Sequence, residues 1–275
     1  MTGNRSIGPV LAVSDLSTWG RVALSAGIPP LERRGIQVCA LPTALLSSHG
    51  AYPGAVIHAQ TAYMEAAIAH VEGLNPRFSA LFTGFIAESA QFALLGSLAS
   101  RIRDNGGIIL ADPVMGDNGR LYAFFDDSFV EAMRRHVAGA DIITPNLTEA
   151  ALLLGKAPDA VPADRNELRR WLERLSALGP RCVALTSAPV HGREDRTGVA
   201  LYDAKNRRFS LLTHSRLAGG YPGTGDFFAA ELLARMLKRA PFLLAARFAA
   251  TRVRRAIGRT RRIGADPREG LKTRL

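Results

Sequence analysis

The stretch GGYPGTGDFFAAELLARMLK, residues 219–238, joins a glycine-rich turn directly to an apolar helical segment. Glycines let the backbone turn sharply and approach a ligand closely. A helix N-terminus presents unpaired N–H groups and about half a positive charge, so this junction is suited to an anion. Asp226 stands where it could accept a proton from a hydroxyl group held over that anion. It could equally be the N-cap of a helix spanning Phe227–Lys238, with the glycines forming an ordinary turn.

Outward from this junction, short apolar runs alternate with helical segments. The predicted strands are Val10–Val13, Ile36–Leu41, Ser79–Ile86, Ile108–Leu110, Ile142–Ile143, Val183–Leu185 and a hairpin of Val199–Tyr202 with Phe209–Leu212. The predicted helices are Trp19–Arg34, Ala59–His70, Ala90–Asp104, Ser128–Val137, Glu149–Leu154, Asn166–Leu178, Phe227–Lys238 and Phe242–Ile257. Repeated strand–helix units with continuous apolar strands predict an α/β fold, with a mostly parallel sheet covered by helices on both faces. We expect one domain over residues 1–275.

The composition is that of an ordinary globular protein. Of 275 residues, 47% are apolar and 21% charged, which argues against disorder as the dominant state. No uncharged apolar run reaches the length of a membrane-spanning helix, and the first residues make a poor secretory signal. Cys39 and Cys182 lie far apart, which favours neither a disulfide framework nor a zinc site. We therefore expect a cytoplasmic protein.

The formal net charge is +11, part of it concentrated near the C-terminus. Six arginines crowd one segment: Arg252, Arg254, Arg255, Arg259, Arg261 and Arg262. Such charge can bind nucleic acid through its phosphates, or hold a small anionic ligand. No zinc knuckle, helix-turn-helix spacing or aromatic–basic interleaving accompanies the arginines. We interpret them mainly as a solvated helix face, without a nucleic-acid or membrane partner.

Polar motifs follow three of the predicted strands, where ligands bind in such folds. Asp112 and Asp117 bracket the motif DPVMGD, whose two carboxylates could organise a cation or a phosphate-bound metal. The same residue types are also common in plain turns. Thr186 and Ser187 follow the strand ending at Leu185 and could contact a nucleotide phosphate, or form an ordinary strand exit.

The motif TPNLTE, residues 144–149, allows two interpretations. Asn146 and Glu149 have the spacing of a capping box, with Asn at the N-cap and Glu three residues later. They could instead hold Mg²⁺, directly or through water. The sequence contains neither a Walker motif nor G-x-S-x-G, and its histidines lack the spacing of a metal site.

In this order and spacing, the motifs resemble those of the ribokinase superfamily. The segments that carry the resemblance are Asp112–Asp117, Thr144–Glu149, Thr186–Ser187 and Gly223–Asp226. Within that superfamily the chain is similar to the pyridoxal/pyridoxamine kinases, on the segments Asp15–Arg21, Leu41–His49 and Thr83–Phe85. The resemblance extends from about Val10 to the end of the chain. It implies a ribokinase-like three-layer α/β/α sandwich.

The resemblance also implies an activity, namely ATP-dependent phosphorylation of the 5′-hydroxymethyl group of pyridoxal, pyridoxamine or pyridoxine. Asp226 would receive the hydroxyl proton, and the amides of Gly223, Thr224 and Gly225 would form an anion hole. Mg²⁺ would be held at Asn146 and Glu149. An Asp with an ordinary pKa of about 3.9 is a weak base at pH 7, which suffices if the proton moves late in the reaction.

Other roles are likewise implied by the resemblance. Asp112 and Asp117 would belong to the cation and phosphate region, and Thr186 and Ser187 would approach the nucleotide. The residues where the family holds the pyridine ring are Asp15, His49 and Phe85. Many relatives carry Ser in place of Asp15 and Tyr in place of Phe85; here Asp15 could pair with a protonated pyridine nitrogen.

Alternatives remain at this stage. A hydroxymethylpyrimidine kinase of thiamine synthesis would share the catalytic end and differ in its ring pocket. A sugar or nucleoside kinase, a carrier of pyridoxal 5′-phosphate without activity, and a nucleic-acid-binding protein are further possibilities. Because superfamily members are often dimers, the resemblance also implies a homodimer.

Overall fold

A nine-stranded sheet forms the centre of the computed structural model, which describes residues 7–217 and 219–273. Its strands are β1 (Val10–Trp19), β2 (Val38–Ser48), β3 (Ile57–Ala59), β4 (Ala80–Thr83), β5 (Ile108–Ala111), β8 (Ile142–Ile143), β9 (Cys182–Pro189), β10 (Arg196–Asp203) and β11 (Arg208–Ser215), while β6 (Gly116–Asp117) and β7 (Arg120–Leu121) form a separate hairpin. The order across the sheet is β11-β10-β9-β8-β5-β4-β1-β2-β3. The six strands from β9 to β2 are parallel neighbours, and the strands at the two edges pair antiparallel. The predicted mostly parallel sheet is confirmed.

Helices cover both faces of this sheet. They are α1 (Ala23–Glu32), α2 (Thr61–Gly73), α3 (Gln91–Asp104), α4 (Asp127–Ala138), α5 (Leu147–Leu153), α6 (Arg165–Ala177), α7 (Thr224–Leu237) and α8 (Phe242–Arg262). Successive strand residues point to opposite faces, so Leu11 and Val13 join the core under α2–α6 while Val10 and Ala12 join the core under α1, α7 and α8. The three-layer α/β/α arrangement is therefore as predicted. Within the described ranges, no helix combines the length and apolar character needed to cross a bilayer.

The first strand is longer than predicted. β1 continues to Trp19, paired with β2 as far as Ser48, and α1 begins only at Ala23. The predicted helix from Trp19 is therefore wrong over its first turn. Gly20, with φ +90°, separates the strand from the helix. The second half of β1 is polar, and its strand conformation depends on pairing with distant residues of β2.

Parallel pairing aligns five strands in one row, and three of them (β4, β5 and β8) end at that row. The aligned residues are Val13, Thr83, Ala111, Ile143 and Val183. The polar residues that come next along the chain consequently meet at the same edge of the sheet. This edge carries the candidate site.

Candidate active site

The N-terminus of α7 begins one turn earlier than predicted, at Thr224. Gly223 is its N-cap with φ +83°, and a Cβ there would stand 2.4 Å from the carbonyl oxygen of Arg21. Only glycine fits this turn, since it tolerates both the conformation and the close approach. Asp226 is the third residue of the helix, so the alternative that it is the N-cap is wrong. The Thr224 amide makes a long 3.3 Å hydrogen bond to the carbonyl of Tyr221, a contact that a phosphate oxygen could replace.

Asp226 faces the middle of β1 and the end of β4. It lines a small cavity together with Ser14, Ala23 and Gly84, and a Cβ on Gly84 would stand 3.9 Å from its Oδ1. Burial raises the pKa of Asp226, while a hydrogen bond from the Ala23 amide opposes the shift. A carboxylate with a raised pKa at a helix N-terminus is a better proton acceptor than an ordinary Asp.

Asp112 lies beside the same helix N-terminus. A Cβ on Gly225 would be 3.6 Å from Asp112 Oδ2, and the Thr144 hydroxyl donates to Asp112 Oδ1 at 2.8 Å. Burial, and next the charge of Asp226, raise the pKa of Asp112 to about 8. The structure thus brings these two predicted residues together. The role of Thr144 as a hydrogen-bond partner was missed, although it directly follows the strand β8.

Asp117 occupies an exposed position on the β6–β7 hairpin. Its carboxylate accepts hydrogen bonds from the amide and the side chain of Asn118, at 2.8 and 3.0 Å. Asn118 and Gly119 both have positive φ, 52° and 74°, as a two-residue type I′ hairpin requires. This confirms the turn interpretation of the motif and leaves the Asp117 carboxylate at the surface near the buried acids.

The capping-box interpretation of Asn146 and Glu149 is confirmed. Asn146 Oδ1 accepts from the Glu149 amide at 2.9 Å, and Glu149 Oε2 accepts from the Asn146 amide at 2.7 Å. Both side chains also contact the segment after β5: Asn146 Nδ2 donates to the Gly116 carbonyl at 2.8 Å, and the Met115 amide donates to Glu149 Oε1 at 3.4 Å. The capping box therefore connects α5 to the loop that carries Asp112 and Asp117.

Glu149 is buried, with 4% of its surface exposed. Burial, and next the charge of Asp112, raise its pKa well above the usual value. Among residues 7–217 and 219–273, His, Cys, Asp and Glu side chains form no group of three or more arranged to hold a metal ion.

Tyr122 is a site residue that the sequence reasoning missed. Burial raises the pKa of its hydroxyl, as do the charges of Glu149, Asp117, Asp226 and Asp112, in decreasing order. Its phenol therefore lies near these four acids. The only sequence signal is its place just after the hairpin, which is too weak to identify it.

Asp15 and Phe85 lie close to Asp226. Asp15 is 5% exposed, and burial followed by the charge of Asp226 raises its pKa to about 7. Ser17 Oγ donates to it at 3.4 Å. The Phe85 amide donates to Ser14 Oγ at 3.0 Å, which fixes the segment after β4 against β1. The Phe85 ring packs 5.9 Å from the rings of Phe124 and Phe125.

His49 is held by the C-terminal segment of the chain. Its Nδ1 accepts from the Ala51 amide at 3.3 Å, so Nε2 carries the proton and donates to the Arg268 carbonyl at 2.7 Å. The charge of His49 lowers the pKa of Asp226, so the two side chains lie close enough to interact. No sequence pattern indicated that a turn over Pro267–Glu269 would position this histidine.

Thr186 and Ser187 lie near the end of β9. The amide of Thr186 donates to the Pro145 carbonyl at 2.8 Å, which places this strand end beside the capping box. Ser187 is exposed and has φ +56°, and the pairing with β10 shifts at this point. Such a bulge redirects side chains at a strand end, here toward the solvent above Pro145.

Comparisons with known proteins give a consistent result. A family model described as phosphomethylpyrimidine kinase matches residues 36–269. A pyridoxine/pyridoxal/pyridoxamine kinase of Bordetella avium is 31% identical over 83% of this chain and 77% of its own. A candidate phosphomethylpyrimidine kinase of Bacteroides thetaiotaomicron, crystallised with pyridoxal, is 38% identical with a TM-score of 0.92, covering 96% of this chain and 92% of that one. A pyridoxal kinase of Leishmania donovani in complex with ADP and pyridoxine is 26% identical with a TM-score of 0.84, over 96% and 92% of the two chains.

Proposed function

The chain belongs to the phosphomethylpyrimidine kinase family, and from that premise we propose that it phosphorylates the 5′-hydroxymethyl group of pyridoxal, pyridoxamine or pyridoxine with ATP. The observation that carries the proposal is the position of Asp226. Its carboxylate lies in the first turn of α7, between the residues expected to hold the ring and the acids expected to face the phosphates. Relatives that are named pyridoxal kinases support the substrate class.

Asp226 accepts the proton of the vitamer hydroxyl group. Phosphoryl transfer depends mainly on positioning and on stabilisation of charge. Burial raises the pKa of Asp226, so its proton affinity is closer to what general-base catalysis at neutral pH requires. Its carboxylate lies close to Gly84, which directly follows β4, and the hydroxymethyl group would enter beside it.

The amides of Gly223, Thr224 and Gly225 stabilise the transferring phosphoryl group. They lie at the positive end of the α7 dipole, which favours an anion. Gly223 is required by its φ of +83° and by the nearby Arg21 carbonyl. The amides are therefore fixed before substrate binds, as electrostatic stabilisation of a transition state requires.

The acids of the site suit Mg²⁺. Asp112 and Glu149 are buried, and the charge of Asp112 raises the pKa of Glu149; a divalent cation would relieve that repulsion. In proteins, Mg²⁺ is usually held by one or two carboxylates together with substrate phosphates. Asn146 and Glu149 would hold the Mg²⁺ ion directly or through water. Asp112 and Asp117 would lie near the ion. Thr186 and Ser187 would lie toward the nucleotide. When bound, Mg²⁺ neutralises charge on the phosphates.

Asp15, His49 and Phe85 hold the pyridine ring. The pKa of about 7 for Asp15 allows it to share a proton with a ring nitrogen. His49 presents an imidazole whose orientation is fixed by its hydrogen bond to the Arg268 carbonyl. The buried Phe85 offers an aromatic surface for stacking.

A substrate panel tests the proposal. ADP release is measured with MgATP and pyridoxal, pyridoxamine, pyridoxine or hydroxymethylpyrimidine as acceptor. We expect turnover with at least one of the three vitamers. Turnover of the pyrimidine alone would contradict the proposal and support the alternative, a hydroxymethylpyrimidine kinase.

The remaining expectations concern the number of domains, the cellular location and the oligomeric state. We infer one kinase domain, because a single nine-stranded sheet includes strands from Val10 to Ser215. Cytoplasmic action is supported by Cys39 and Cys182, which are both free thiols. The homodimer is tested by light scattering coupled to size-exclusion chromatography.

A further inference from the structure

A second charged region lies between the C-terminal ends of α1 and α7 and one side of α8. It is a cleft of about 730 Å³, a size common for sites that bind small molecules. The residues that line it are Arg33, Arg34, Arg235, Leu244, Arg247, Phe248, Thr251, Arg252 and Arg255. Six of the nine are arginines, contributed by three helices.

One buried carboxylate organises part of this cluster. Glu231 of α7 is fully buried, and it pairs with Arg34 Nη2 at 2.6 Å, Arg252 Nε at 3.2 Å and Arg235 Nε at 3.8 Å. Because a single carboxylate faces three guanidinium groups, these arginines are held in place without being neutralised. The ion pairs give the cleft a fixed wall of positive charge.

The other three arginines lack acidic partners. Within residues 7–217 and 219–273, Arg33, Arg247 and Arg255 donate no side-chain hydrogen bond and form no ion pair. Burial, and next the charge of Arg252, lower the pKa of Arg33. Burial, and next the charge of Arg34, lower the pKa of Arg235. The cleft therefore carries positive charges that repel one another, and an anion would relieve the repulsion.

Arg235 provides a further unsatisfied group. Its Nε is buried and has no hydrogen-bond partner among the described residues, and its guanidinium lies 4.5 Å from the centre of the Phe248 ring. A buried donor without an acceptor costs free energy. Stacking on Phe248 orients the guanidinium, so an acceptor entering the cleft would find it preorganised.

We propose that this cleft binds a small polyanion carrying two or more phosphate groups. Guanidinium groups match phosphate oxygens through paired hydrogen bonds, and several guanidiniums at one cleft can engage more than one phosphate. Leu244 and Phe248, each 44% exposed, add an apolar wall for a non-phosphate part of the ligand.

The cleft is separate from the candidate active site. Helix α1 begins at Ala23 and has Arg33 at its C-terminal end. Helix α7 carries Asp226 in its first turn and Arg235 in its last turn. At 1.5 Å per residue, the two sites lie on the order of 15 Å apart along these helices. The polyanion would thus bind in addition to the substrates of the kinase reaction.

Binding of inorganic tripolyphosphate to the full-length protein, followed by calorimetry, tests this inference. The cleft variant is Arg247→Glu with Arg255→Glu, which spares Glu231 and its partners. The matched control is Arg254→Glu with Arg261→Glu, two exposed arginines of the same helix outside the cleft. We expect the cleft variant alone to lose one equivalent of bound tripolyphosphate, or about tenfold or more in affinity. Its turnover should stay within about twofold of the control, since neither pair belongs to the catalytic machinery.

Three results would overturn the proposal. Equal losses of tripolyphosphate binding in both variants would mean that binding depends only on the overall charge of the protein. Unchanged binding in the cleft variant would exclude the cleft. A halved mass of the cleft variant in light scattering, with tripolyphosphate binding retained, would make the cleft an interface between two copies of the chain. Should the glutamate pair fail to fold, Arg247→Gln with Arg255→Gln takes its place, judged by the same criteria.

Discussion

Buried carboxylates occur in two regions of this molecule, and their surroundings differ. At the carboxyl edge of the sheet, burial raises the pKa values of Asp112, Glu149 and the half-buried Asp226, and repulsion by a neighbouring acid raises those of Asp112 and Glu149 further. On the far side of the α1–α7 layer, Glu231 is more deeply buried but pairs with three arginines. A buried charge with partners in its own chain holds the fold together. Buried acids that repel each other suit a cation or a proton that arrives with substrate.

The largest effect should come from Asp226→Asn. Without the carboxylate the hydroxyl proton has no acceptor, so we expect kcat to fall by about 10²–10⁴-fold while the KM for ATP changes little. Initial rates of ADP release measure both constants. Asp127→Asn is the control, because Asp127 is also in the first turn of a helix but is exposed. A kcat within a few-fold of the unsubstituted protein would remove Asp226 from the role of base.

Glu231→Gln tests the other region. Removal of one partner of a buried ion pair leaves uncompensated charge, so we expect a loss of about 3–5 kcal/mol in the free energy of unfolding. Urea denaturation measures it. Glu131→Gln is matched, because Glu131 pairs with Arg134 and Arg135 at the surface, and there we expect less than about 1 kcal/mol. Equal losses in the two variants would contradict a structural role for the buried pair.

A smaller effect is expected from Gly223→Ala. Both Gly223 and Gly35 have positive φ, 83° and 70°, but only at Gly223 would a Cβ collide with backbone, the Arg21 carbonyl at 2.4 Å. Gly35→Ala should cost about 1–2 kcal/mol of stability from backbone strain. Gly223→Ala should cost about 1–3 kcal/mol more, because its Cβ would also collide with the Arg21 carbonyl. Only Gly223→Ala should lower kcat. Thermal unfolding and initial rates separate the two effects. Identical behaviour of the two variants would mean that the turn before α7 is not constrained by Arg21.

The smallest effect is expected from Asp112→Asn, and it concerns how the stability of the protein depends on pH. The pKa of Asp112 is about 8 in the folded protein against an ordinary value of 3.8. Between these values the folded state retains a proton that the unfolded chain has lost, so this residue makes stability fall as pH rises. Asparagine does not titrate, so the variant should gain stability relative to the unsubstituted protein as the pH rises from 5 to 8. Parallel melting curves across that pH range would contradict the raised pKa.

Local patterns were sufficient for most of the fold. Apolar runs identified every parallel strand of the sheet, and the helix ends mostly fell within a few residues of those observed. The error at Trp19 arose because the outer half of β1 pairs with residues around Ser48, a contact that no local pattern encodes. The short strand β3 was missed for the same reason.

For the site, the sequence indicated the acids and the glycines but not what supports them. Asp112, Glu149 and Asp226 follow strand ends or a glycine turn, which are local signals. Thr144 and Tyr122 act through packing that depends on the β6–β7 hairpin and the row of strand ends. Similarly, the C-terminal arginines are distributed along one helix in the sequence. Only the packing of α8 against α7 brings Arg252 to Glu231, and both Arg252 and Arg255 to the cleft.

The most direct measurement of the central claim is ³¹P NMR of the reaction of pyridoxal with MgATP. The account predicts a new phosphate monoester on the 5′ carbon together with ADP, and no ester above background with Asp226→Asn. Hydrolysis of ATP to inorganic phosphate without an ester, or equal ester formation by the Asp226→Asn variant, would contradict it.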